Sequence, residues 1–151
     1  MARFRFLLVL VVVGCGDVTA PPNYIGSYHL SRVNGSVIPV GLPAGTSSCT
    51  TNVDNGRLDL STGTFSLALI TSLTTSAQCL LTTAILGLSG SVHANGQILD
   101  LKNEQPPQAV REEVRMRAEL NGQDLKLTWL DDQYGVPGGT QFTFSRTPSS
   151  P

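Results

Sequence analysis

The dipeptide Asn-Gly occurs four times, at 34–35, 55–56, 95–96 and 121–122, and the chain around these copies alternates apolar with polar residues. Asn and Gly both tolerate the positive φ angles of a type I′ turn, whose twist matches that of the strands it joins, so each copy predicts a β-hairpin. Thr62-Gly63 reads as a related turn. Leu58 and Leu60 follow the second copy; Phe65, Leu67 and Leu69 follow Thr62-Gly63; Leu99 and Leu101 follow the third copy; Leu125, Leu127 and Trp129 follow the fourth; Phe142 and Phe144 repeat the pattern near the end. A period of two through the whole body predicts antiparallel strands with one face in a core and the other in water.

The runs place strands at 26–33, 36–40, 47–54, 57–61, 64–73, 78–88, 97–102, 110–120, 124–131 and 140–146. The stretch from Val110 to Leu120 has helix-forming composition. At 100° per residue, however, Met116 and Leu120 fall nearly opposite Val110, Val114 and Ala118, so no apolar stripe forms. As a strand it is cleaner: Val114, Met116, Ala118 and Leu120 share one face, and Glu113, Arg115, Arg117 and Glu119 the other. Glu112 stands on the inward phase and is expected near a strand end, where water reaches it. Gly87-Leu88-Ser89-Gly90-Ser91, Asp54-Asn55-Gly56 and Asp131-Asp132 read as turns. Eight to ten short strands in a meander of hairpins give an all-β fold. An antiparallel up-and-down β-barrel, which removes its own edges by closing, is favoured over a β-sandwich.

The first residues are of another kind. Arg3 and Arg5 precede eight consecutive apolar residues, Phe6 to Val13, a run shaped like a signal-peptide h-region and too short to span a bilayer. The run leads into Val12-Val13-Gly14-Cys15, which resembles the lipobox of bacterial lipoproteins and implies removal of residues 1–14 and acylation of Cys15. Firm anchoring then follows from several acyl chains. Gly16, where Asp would imply inner-membrane retention, favours the outer membrane if the source is Gram-negative. Residues 15–23, with Pro21-Pro22, read as a tether, 24–147 as one barrel domain and 148–151 as a disordered tail. Without Arg3 and Arg5, eight basic residues stand against eleven acidic ones, a formal charge of about −3, and no basic patch suits nucleic acid.

With Cys15 assigned to lipid, Cys49 and Cys79 remain as a pair in an oxidising compartment and are expected to form a disulfide. Closing a loop of about 30 residues contributes roughly 3–4 kcal/mol on the chain-entropy model. Two buried thiols are the alternative; a metal pair lacks a companion Cys or His cluster.

Ile25-Gly26-Ser27-Tyr28-His29-Leu30-Ser31-Arg32-Val33-Asn34-Gly35 with Ile38-Pro39, and Gly139-Thr140-Gln141-Phe142-Thr143-Phe144-Ser145-Arg146, carry a further likeness. They resemble the opening Gly-x-Tyr-x-Leu, Val-Asn-Gly and Pro pattern, and the closing aromatic strand ending in Arg, of small lipocalin-like bacterial lipoproteins. The two motifs bracket about residues 25–146. The Gly-x-Trp of animal lipocalins is not present. The resemblance implies an anchored barrel and transfers no catalytic residue.

Chemistry is sparse. His29 and His93 lie far apart in sequence, and His29 shares the outward phase of Ser27 and Ser31, so both are expected in solvent. Metal sites and general bases need converging partners. No serine sits in a Gly-x-Ser-x-Gly elbow, and no Asp run has calcium-loop spacing. No cofactor, metal site or catalytic residue is expected, and the chain is read as a non-enzyme. Two functions stay open. The barrel either holds a small hydrophobic ligand, with Tyr28, Leu30, Phe65, Met116, Trp129, Phe142 and Phe144 as candidate lining, or packs those residues as a core. In the second case it presents the loops at 40–48, 103–109 and 131–139 to an envelope protein.

Overall fold

The computed structural model describes residues 23–42, 50–74, 83–104 and 113–148. Within them there is no helix. The strands are β1 (Gly26–Val33), β2 (Ser36–Val37), β3 (Val40–Gly41), β4 (Thr50–Ser61), β5 (Thr64–Thr74), β6 (Thr83–Asn95), β7 (Ile98–Asn103), β8 (Arg115–Asn121), β9 (Asp124–Trp129) and β10 (Gln141–Arg146). The order β1-β10-β9-β8-β7-β6-β5-β4 returns to its start through a β1–β4 pairing, so eight antiparallel strands close an up-and-down barrel, with β2 and β3 as short additions. A sandwich, the alternative, would have needed two sheets.

The short-range turn signals resolve into three different devices. Asn34 (φ 48°) and Gly35 (φ 82°) both lie in the left-handed region, the type I′ signature, between Val33 and Ser36. At 95–96 and 121–122 the Asn is the last paired strand residue, and the two-residue loops are Gly96-Gln97 and Gly122-Gln123 with positive φ at the glycine alone, as in a type II′ turn. Asn55-Gly56 is not a turn, which corrects the expectation from sequence. It lies inside β4, where a register shift between Val53 and Asn55 makes Asp54 the extra residue of a bulge. The two strands expected at 47–54 and 57–61 are therefore one. Gly56 is needed there because a Cβ would stand 2.8 Å from Leu69 Cδ2 and 3.1 Å from Leu30 Cβ.

Gly87-Leu88-Ser89-Gly90-Ser91 is also strand, not turn, in the middle of β6. Its glycines serve different ends. A Cβ on Gly90 would meet the Lys102 carbonyl oxygen at 2.0 Å, so β6 and β7 approach there only because the side chain is missing; Gly87 faces open space. The strand expected at 36–40 is split into β2 and β3, and those expected at 124–131 and 140–146 are shortened to β9 and β10. The strand reading of 110–120 holds from Arg115 on: Val114, Met116, Ala118 and Leu120 are buried and Arg115, Arg117 and Glu119 exposed. Glu112 lies outside the described residues, as do parts of the loops expected at 40–48 and 103–109.

Substitution at the two β6 glycines separates these roles. Gly90→Ala is expected to lower unfolding free energy by about 3 kcal/mol, because backbone must move to admit the methyl, whereas Gly87→Ala leaves it within about 0.5 kcal/mol of wild type. Parallel urea melts check this, and equal midpoints for the two variants would contradict it.

Candidate functional site

All seven residues expected to line the barrel point inward. Tyr28 and Leu30 come from β1, Phe65 from β5, Met116 from β8, Trp129 from β9, and Phe142 and Phe144 from β10; all are at most 5% exposed. Alternation along each strand places them there, and closure brings β10 and β1 together so that Leu30 stands opposite Phe144. Trp129 and Phe142 meet edge-on with ring centroids 6.1 Å apart. Trp129, Phe142, Phe144, Leu125, Leu127 and Leu99 have zero accessible surface. No space large enough for water touches those side chains, so this part of the interior is packed.

Two donors break the apolar pattern. Among the described residues, the buried Asn103 Nδ2 and Trp129 Nε1 find no hydrogen-bond partner. Asn103 follows Leu99 and Leu101 on the inward phase of β7, and its backbone N–H donates to the Val114 carbonyl at 3.1 Å. Trp129 pairs with Met116, which pairs with Leu101, so both donors lie toward the end of the barrel where β7 and β9 finish. An unmatched buried donor costs about 1–3 kcal/mol. The inward phase of Asn103 is the signal by which sequence reading could have singled it out.

At the opposite end, β1 and β10 are clamped. The Arg146 guanidinium lies 5.8 Å from the Tyr28 ring centroid and donates to the Ile25 carbonyl; the Thr147 N–H donates to the Ser27 carbonyl at 2.9 Å. The Tyr28 hydroxyl donates to the Tyr24 carbonyl at 2.8 Å. Burial holds the Tyr28 phenol above its ordinary pKa, against the opposing pull of Arg146. The clamp thus joins the two end motifs on which the lipocalin-like resemblance rests.

The outer wall carries charge in pairs. Arg117 bonds Asp100 at 2.9 Å, Arg115 bonds Asp131 at 2.9 Å and Lys102 bonds Glu113 at 3.1 Å, around an open cleft of about 410 Å³ that His93 also lines. The Arg115 hydrogen bond holds the Asp131 carboxyl below the ordinary aspartate range. On the other side, Ser27 donates to Asp59, and Arg57 grips the same carboxylate through Nε at 2.9 Å. His29 stands across the ladder from Arg57 and His93 across from Asp100, both exposed. Among the described residues no three His, Cys, Asp or Glu side chains form a metal-sized group. Cys15, Cys49 and Cys79 lie outside the described residues. A scan of protein-family models, a search of curated proteins and a search of solved structures return no match to this chain.

The Tyr28 phenol gives the clamp a pH signature. Because its folded-state pKa is raised, its contribution to stability is complete below the ordinary value of 10.0 and is lost as pH rises from there through the folded-state value. Tyr28→Phe is expected to flatten that alkaline loss while costing about 0.5–1.5 kcal/mol at neutral pH through the missing bond to Tyr24. Denaturant titrations of both proteins from pH 7 to about 11 give the comparison; an unchanged alkaline slope would contradict it.

Proposed function

We propose that the chain is an exported lipoprotein whose packed barrel is a rigid, non-enzymatic scaffold, anchored through Cys15 and acting through its loops on a protein partner in the cell envelope. The observation that carries this reading is the filled interior: six large side chains from β7, β9 and β10 have no accessible surface, so their bulk goes into rigidity and leaves no room beside them for a ligand. The polarity agrees. A membrane-spanning barrel turns apolar residues outward, whereas β7, β8 and β9 turn Leu99, Met116 and Leu127 inward and Asp100, Arg117 and Lys126 outward. The lipobox-like Val12-Val13-Gly14-Cys15 supplies the anchor, and Gly16 favours the outer membrane.

A disulfide between Cys49 and Cys79 belongs to the same proposal. Thr50, the residue after Cys49, pairs across the ladder with Thr74, five residues before Cys79, a short span for the chain to cover. One observation favours a second reading, a small ligand held at the loop end of the barrel: the unmatched donor of Asn103, away from the fully packed residues, would suit a hydrogen-bond acceptor carried on an apolar molecule.

Native and denaturing mass spectrometry of protein purified from its own envelope tests these claims together. The expected result is a chain beginning at Cys15 with acyl groups attached, no alkylation of Cys49 or Cys79 before reduction, and no bound small molecule. Cys15→Ser is expected to lose the acyl mass and the membrane fraction. A co-purifying lipid or other small molecule would overturn the scaffold in favour of the ligand reading, and an unacylated chain would overturn the anchor.

A further inference from the structure

The meander sorts every connection to one end of the barrel or the other. The turns Thr62-Gly63, Gly96-Gln97 and Gly122-Gln123 share one end with the start of β1 and the finish of β10. The connection from β1 through β2 and β3 to β4, and those between β5 and β6, β7 and β8, and β9 and β10, all lie at the other. The ends also differ in chemistry. Described connecting residues at the short-turn end, 23–25, 62–63, 96–97, 122–123 and 147–148, carry no charged side chain, and Ile25 and Ile98 stand 45% and 40% exposed there. Described connecting residues at the loop end include Glu104, Glu113, Asp131 and Asp132 and no Lys or Arg. Lys102 and Arg115 neutralise Glu113 and Asp131, and the remaining Glu104 and Asp132 stand against one described cation, Arg32 near the end of β1, so the described loop end is negative on balance.

We infer that the short-turn end of the barrel, with Ile25 and Ile98, rests on the bilayer that holds Cys15, and that the loop end points away from it. This rests on the lipoprotein reading above. Ten residues, eleven Cα-to-Cα steps, separate Cys15 from Gly26, a span of at most about 40 Å when fully extended. Eight residues of β1, tilted as in a barrel, give a height on the order of 20–25 Å. With the short-turn end down, none of this length is needed to pass the barrel wall. With the loop end down, more than half its reach is consumed in passing the barrel wall, and surplus carboxylates are pressed toward anionic headgroups. Uncharged turns and two exposed isoleucines meet the headgroup layer without either cost.

The test uses the full-length acylated protein in vesicles of phosphatidylethanolamine and phosphatidylglycerol doped with headgroup-nitroxide lipid, with a fluorescent amino acid incorporated in place of Gln97, Gln123 or Glu104. Quenching at 97 and 123 is expected to exceed that at 104 by roughly threefold, given the barrel height that separates the two ends. Ile98→Glu, made with the probe at Gln123, is expected to reduce that excess. Equal quenching at the three positions, or stronger quenching at 104, in protein shown by mass to carry its acyl groups would overturn the orientation and leave the anchor standing. Protein without acyl groups and without quenching anywhere would overturn both.

Discussion

Everything in this fold depends on β1 being shared. Its first half, Gly26 to His29, bonds to β4, and Tyr28 to Val33 bond to β10, so one strand joins the two ends of a sheet that would otherwise lie open. Without β1, the six-residue β10 would be a free edge and the twelve-residue β4 would keep only the two-residue β3 beside it, the arrangement that invites pairing with another chain. The register shift between Leu30 and Arg32 falls within the β10 pairing, just past His29, the last residue that β1 shares with β4. Arg146 then fixes the seam from the side, over the Tyr28 ring and onto the Ile25 carbonyl. Asn34 fixes its far end, donating its N–H to the Gln141 carbonyl at 2.7 Å and accepting from the Gln141 N–H at 2.9 Å.

Closure creates an interior that must be filled, and the filling is graded by size. Where Trp129, Phe142 and Phe144 supply bulk, the strand beside them contributes Ala118, itself without accessible surface. Where β1, β4 and β5 crowd together, Gly56 gives up its side chain so that Leu30 and Leu69 can meet. This is the density of a domain core, in which one added methyl group forces its neighbours to move. The outer wall has no such constraint, and its ion pairs are exposed contacts that contribute little to stability. Stability therefore resides inside the barrel.

Most of the barrel was legible because period two survives intact in β5, β7, β8, β9 and β10, and an even meander has few ways to close. Illegible were the positions where a residue type serves two opposite purposes. Asn55-Gly56 has the composition of Asn34-Gly35, yet one is a bulge under a crowded core and the other a turn with both residues at positive φ. Only the residues across the sheet, Leu30 and Leu69, decide between them. Gly87 to Ser91 failed for the same reason, since the need for Gly90 comes from the backbone of Lys102, far along the chain. The candidate lining was readable from alternation, but packed and hollow barrels share that alternation; the zero exposure of Trp129 and Phe142 is a fact of volume, not of pattern. Asn103 escaped notice because a polar residue at the close of an apolar phase looks like the end of a strand.

Segregation of the two rims follows from parity more than from any single side chain. In a closed meander of eight antiparallel strands, the chain enters and leaves at one end, and alternate connections fall on that end or the opposite one. A tether placed before β1 must therefore emerge among the tight turns at 62–63, 96–97 and 122–123. The longer connections are all carried to the far rim. Arg146, Tyr28 and Ile25 hold the seam at the entry end, and Asn34 with Gln141 holds it at the far rim. The two rims are joined by the packed column between them, so substitutions that loosen Trp129, Phe142 or Leu58 would slacken the position of one rim relative to the other before altering either rim's chemistry.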